Sequence, residues 1–93
     1  MEVPLDRSRI AAALREIAAL VSLKDETPFR RRAYERAATS LDELERNFDE
    51  LVGAGRLTDI PGIGDGLAAL IAELAREGRS PTLDGLRAEL PPG

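Results

Sequence analysis

Residues 57–71 read LTDIPGIGDGLAALI, and their order is that of a backbone anion site. Pro61 ends a short helix, because its ring clashes with the preceding turn and it has no N–H to donate. Gly62 and Gly64 are expected to allow a tight turn and to leave the main chain unshielded by side chains. A second helix is predicted to begin near Asp65. Its first N–H groups have no intrahelical acceptor and carry the positive end of the helix dipole. Such an end holds a phosphate without any lysine. Gly66 lets a ligand approach the backbone but weakens the helix start. Ile63, between the glycines, is expected to point into the core, and Ala68 to allow close helix packing. Asp59 and Asp65 place negative charge beside the same amides.

A second group is cationic. Arg30, Arg31, Arg32 and Arg36 open a predicted helix. Successive residues fan by about 100°, so no face holds the first three together, whereas Arg32 and Arg36 share a side. Guanidinium forks suit phosphate oxygens. The alternative is a solvated basic helix start paired with Asp25, Glu26 and Glu35. Arg stays protonated and lacks a primary amine, so this cluster does no imine chemistry. Lys24 is the single lysine, and its neighbours Asp25 and Glu26 oppose the lowered pKa that a nucleophilic amine needs.

Helices must position both groups. The first is predicted over about Asp6 to Lys24, with Asp6 as N-cap and Ile10, Leu14, Ile17 and Val21 on one face. Thr27-Pro28 restarts a helix whose buried face is expected to include Phe29, Ala33, Tyr34, Ala37, Ala38 and Leu41. Phe29 is read as core or hydrophobic staple, with base stacking as the alternative. A break falls between about Leu44 and Asn47. A short helix capped by Asn47 then buries Phe48, Leu51 and Val52 and ends at Gly53 and Gly55. Gly78 stops the hairpin's second helix. Ser80-Pro81 opens a last one burying Leu83, Leu86 and Leu90.

The composition of the 93 residues agrees with an all-helical chain, since 28 of its 40 apolar residues are Ala or Leu. With no Cys and no His, a disulfide, a cysteine zinc site and a Ser-His-Asp triad are excluded within this chain. No run of 18 apolar residues exists, and the N-terminus lacks the pattern of a signal peptide. A cytoplasmic protein is therefore expected. The net charge of −4 argues against binding nucleic acid by bulk neutralisation. It is unevenly placed, however: +2 over residues 1–36 and −6 over residues 37–93. Asp42, Glu43, Glu45, Asp49 and Glu50 form an acidic patch.

Leu57, Ile60, Gly62, Ile63, Gly64, Ala68, Leu70 and Ile71 occupy every slot of a pattern that resembles the helix-hairpin-helix motif. From about Ile10 to the final Pro-Pro-Gly, the chain is similar to the N-terminal domain of family X DNA polymerases, the bacterial type best. PFRRRAYERAA before the hairpin and Glu77-Gly78-Arg79 after it carry that wider likeness. The resemblance implies a small all-α domain of four to five helices over residues 1–93. The hairpin would lie at about 56–77, and 91–93 would start a linker to a polymerase domain in cis. It implies sequence-independent binding of gapped or nicked DNA on the 5′-phosphate side, in base excision repair. Gly62, Gly64, Gly66, Arg30, Arg31 and Arg36 are the expected phosphate-binding residues, and Phe29 falls where the family stacks an aromatic ring on a base. Backbone carbonyls of Leu57, Ile60 and Ile63 would hold a monovalent cation, K+ or Na+. The family's Schiff-base lysine slot is Leu70 here, and two further lysine slots fall at Gly66 and near Thr82. No 5′-deoxyribose-phosphate lyase activity is therefore expected of these residues. Two alternatives stand beside this reading: a protein-interaction module that kept the fold and lost DNA affinity, and a lyase with a relocated amine at Lys24 or the N-terminus.

Overall fold

The computed structural model describes residues 6–24, 28–45 and 47–88. It contains five α-helices and no strand among them: α1 (Arg7–Lys24), α2 (Pro28–Asp42), α3 (Phe48–Ala54), α4 (Asp65–Glu77) and α5 (Pro81–Ala88). One 3-10 turn, Leu57–Asp59, leads into the hairpin. The expected all-α class is therefore observed.

α1 is the centre of the molecule because its apolar stripe is continuous. Ile10, Leu14, Ile17 and Val21 are all buried, and Ala11 and Ala18 beside them let neighbours approach closely. α2 packs along α1, and α4 and α5 also touch it. Ala37, Ala38 and Leu41 form the inward face of α2, and Ile71 and Leu74 that of α4. Caps fix where the helices begin and end. The Arg9 N–H donates to the Asp6 carboxylate at 2.9 Å, and the Glu50 N–H to Asn47 Oδ1 at 3.2 Å. At the end of α3, Gly55 adopts φ +69, and Gly55 and Arg56 donate to the carbonyls of Val52 and Leu51. That pair of bonds is a Schellman motif. Gly78, at φ +75, ends α4 by donating to Leu74.

Two expectations for α2 fail. Phe29 is 77% exposed, and Ala33 is exposed as well. At 100° per residue, they lie roughly 140° and 100° around the helix from Tyr34, off the face that α1 covers. Phe29 is therefore neither core nor staple. α2 also ends at Asp42, slightly before the expected break, and the Arg7 guanidinium donates to the Leu44 carbonyl at 2.6 Å. The expected cap at Thr27, the side chains of Lys24, Thr82 and Leu86, and residues 89–93 with Leu90 and the expected linker lie outside the described residues.

α5 is held to α1 by a fork. Arg87 Nε and Nη2 donate to the two Glu16 carboxylate oxygens at 2.5 and 2.7 Å. Those bonds hold the Glu16 carboxyl below its ordinary value, against partial burial, which pushes the other way.

Candidate functional site

The hairpin is built from one turn and one helix start. The Ile63 N–H donates to the Ile60 carbonyl at 3.1 Å, closing a four-residue turn with Pro61 and Gly62 at its centre. Gly62 has φ +86. Proline followed by a left-handed glycine is the type II pattern. Gly64 differs from the expectation: its φ is −90, an extended conformation open to any residue, and it serves as the N-cap of α4. The turn thus requires one glycine, Gly62, rather than two. Ile63 is buried and anchors the turn from beneath, as do Leu57 and Ile60.

Gly64 has no side chain to cap the helix, and the first intrahelical bond runs from the Ala68 N–H to the Gly64 carbonyl at 2.8 Å. The N–H groups of Gly64, Asp65, Gly66 and Leu67 are left without an intrahelical acceptor. Gly64, Asp65 and Gly66 are exposed, and a Cβ at Gly64 or Gly66 would meet nothing within 4 Å. The fold demands neither glycine. Both keep the approach to these amides clear. Asp59 is engaged by Arg56 Nε at 2.9 Å, so part of its charge is balanced, whereas Asp65 stands in the first turn of α4.

The helix-hairpin-helix domain family matches this chain over residues 6–80. The chain belongs to that family. A curated relative, the DNA polymerase/3′-5′ exonuclease PolX of Bacillus subtilis (strain 168), is 33% identical over 89 residues, 96% of this chain. The chain spans 15% of that relative's length. No solved structure matches. Together the matches bear out a helix-hairpin-helix domain of the family X polymerase type.

In this helix-hairpin-helix domain the expected site residues divide between two places. Gly62, Gly64 and Gly66 line the turn and the start of α4. Arg36 joins them, because its Cγ and Cδ lie against Gly62. Arg31 does not. It lies in a groove of about 550 Å³ between α1 and α2, with Arg15, Ala19, Ser22, Glu35 and Thr39. Arg31 Nε lies 3.4 Å from the Glu35 carboxylate and forms no hydrogen bond. Arg30 and Phe29 are exposed at the start of α2. Arg32, which the expected site left out, is exposed one turn before Arg36 on the same side of the helix.

Ser40 was missed entirely. Its hydroxyl donates to the Pro61 carbonyl at 2.7 Å and ties α2 to the hairpin. The spacing Arg32, Arg36, Ser40 was visible as a stripe of one face, but nothing local says what that stripe touches. Leu70, in the lysine slot, is buried in the core and offers no amine. For the cation, the Leu57 and Ile60 carbonyls each accept one turn hydrogen bond, from Ile60 and Ile63. Each keeps a second lone pair, the kind of oxygen donor that a hard cation takes. Among the described residues no group of three or more Asp and Glu is placed to bind a metal ion, and no helix is long and apolar enough to cross a membrane.

Proposed function

We propose that this domain binds DNA without sequence preference, on the 5′-phosphate side of a gap or nick, as part of a cytoplasmic repair polymerase whose catalytic domain lies in cis. The unsatisfied amides around Gly62, Gly64 and Gly66 take one phosphate. Arg30, Arg31 and Arg36 supply positive charge for the rest of the backbone, and Phe29 stacks on an unpaired base. Phosphate contacts carry no base code, which accounts for the lack of sequence preference. A K+ or Na+ ion at the carbonyls of Leu57, Ile60 and Ile63 would lend the hairpin positive charge. The domain itself is read as non-catalytic, and borohydride is expected to trap no adduct on abasic DNA.

One observation carries this reading. Gly64 and Gly66 are glycines that the fold does not need, beside amides that the helix does not use. Inside the first turn, at Gly66, glycine weakens the helix, so its presence there favours a ligand that must touch the backbone. The exposure of Phe29 favours stacking over a structural role.

The test is titration of gapped DNA, with and without a 5′-phosphate, at several salt concentrations. Tighter binding with the phosphate, weakened by Arg30→Ala and by salt, is the expected result. Amide shifts at residues 62–66 that stay unmoved under excess gapped DNA would sink the reading. They would favour the protein-interaction module that the net charge of −4 suggests.

A further inference from the structure

The start of α4 brings amides to a phosphate but no positive side chain, since its first residues are Asp65, Gly66 and Leu67. The structure supplies the charge from another helix. A Cβ on Gly62 would lie 3.0 Å from Arg36 Cδ, 3.1 Å from Arg36 Cγ and 3.5 Å from Ser40 Oγ. The Ser40 hydroxyl donates to the Pro61 carbonyl at 2.7 Å. Arg36 and Ser40 are four residues apart, so one face of α2 seats two consecutive residues of the turn. The glycine at 62 thus has a second reason beyond its φ of +86. Its bare Cα lets the arginine stem lie across the turn.

A stem held this way carries its guanidinium out beside the hairpin, into solvent, since Arg36 is exposed. Arg31, by contrast, is drawn to Glu35 in the groove against α1. We infer that Arg36 is a ligand of the same phosphate group as the hairpin amides, and that Ser40 is the positioning residue that fixes the turn against α2. The charge that α4 lacks is thereby delivered across a seam between two helices. This rests on the reading that the hairpin binds DNA, and it assigns Arg36 to the hairpin rather than to the cluster at the start of α2.

A double-mutant cycle with gapped, 5′-phosphorylated DNA tests it. Arg36→Met keeps the stem on Gly62 and removes the charge, so the fold is retained. It is expected to weaken binding roughly five- to tenfold and to lower the salt slope by about one phosphate contact. Gly66→Ala obstructs the amides. Ligands of one phosphate are coupled, so the combined loss in the double variant should fall short of the product of the single losses by about threefold or more. Arg30→Ala combined with Arg36→Met should instead multiply. Ser40→Ala should weaken binding, retain the wild-type salt slope and shift the amide resonances of residues 61–66. If wild type binds gapped DNA while Arg36→Met leaves affinity and slope unchanged, or multiplies with Gly66→Ala, the inference fails and the DNA-binding reading stands. If wild type binds no DNA, both fail.

Discussion

Two glycines four residues apart are expected to respond to alanine in opposite directions. Gly62 sits at φ +86, where an L-residue costs about 1–2 kcal/mol. The added Cβ would also come within 3.0 Å of Arg36 Cδ, so the arginine stem must move. Because that neighbour is a flexible side chain, the crowding falls at the low end for overpacking, about 1 kcal/mol. Restricting the unfolded chain returns about 0.4–1 kcal/mol. Gly62→Ala is therefore expected to destabilise by about 1–2 kcal/mol net. For a domain of this size that is a fall in Tm of roughly 5–15 °C. Gly66 stands in the first turn of α4 with open space where its Cβ would be. Gly66→Ala should stabilise by about 0.5 kcal/mol, a rise of roughly 2–4 °C. Circular dichroism at a helical wavelength reads both melts, and titration of gapped DNA reads both affinities. Gly66→Ala should then be the variant that is more stable and binds less well. A Gly62→Ala protein that melts like wild type would refute the turn geometry. A Gly66→Ala protein that loses stability, or binds DNA as tightly as wild type, would refute the claim that this glycine serves a ligand.

Other expectations concern charge. The folded-state pKa of Glu16 is depressed, chiefly by the hydrogen bonds from Arg87. The latch therefore contributes stability above the carboxyl's unfolded value of about 4.3, and loses it as pH falls through the folded value. Both partners are about half exposed, so the contribution is about 1 kcal/mol or less. Denaturant unfolding should find Glu16→Gln less stable than wild type at pH 7, by a margin that shrinks as pH falls below the carboxyl's unfolded value; a gap that does not shrink in acid would count against the latch. Asp65→Asn should tighten DNA binding about threefold at low salt. A carboxylate some 6 Å from a phosphate in water costs about 0.7 kcal/mol, and added salt should erase the gain.

What the sequence made legible was local. Asp6, Asn47, Gly55 and Gly78 cap helices through bonds that span a few residues, and Ile63 is fixed by the turn that contains it. These need no knowledge of the rest of the chain. Phe29 and Ala33 were misjudged because an alanine-rich helix has no sharply marked inward face. The crossing of α1 over Ala37, Ala38 and Leu41 decides which side is buried. Arg36 was legible as a cation but not as a neighbour of the hairpin. Its contact with Gly62 bridges residues that lie far apart in sequence, as does the Ser40 bond to Pro61. The Glu16–Arg87 latch reaches further still, 71 residues, and no periodicity announces it.

The charge along α2 gives the seam a direction. Arg30, Arg31, Arg32 and Arg36 occupy its first two-thirds, Asp42 closes its last turn, and Glu43 and Glu45 follow. The hairpin meets α2 at Arg36 and Ser40, at the border between the two signs. On the far side of that border, Glu43 and Glu45 line a groove with Ser40, Ile60 and Pro61. A phosphate chain leaving the hairpin toward those carboxylates meets repulsion. One leaving toward the start of α2 meets Arg36, then Arg32 about 6 Å further along the axis, and then Arg30 and the exposed ring of Phe29. Glu43 and Glu45 are therefore compatible with binding DNA, because they lie on the side of the hairpin away from the arginines, whereas Asp65 stands at the amides themselves. A net charge of −4 describes the solubility and distant field of this domain, while the local alternation along one helix decides on which side of the hairpin a strand is held.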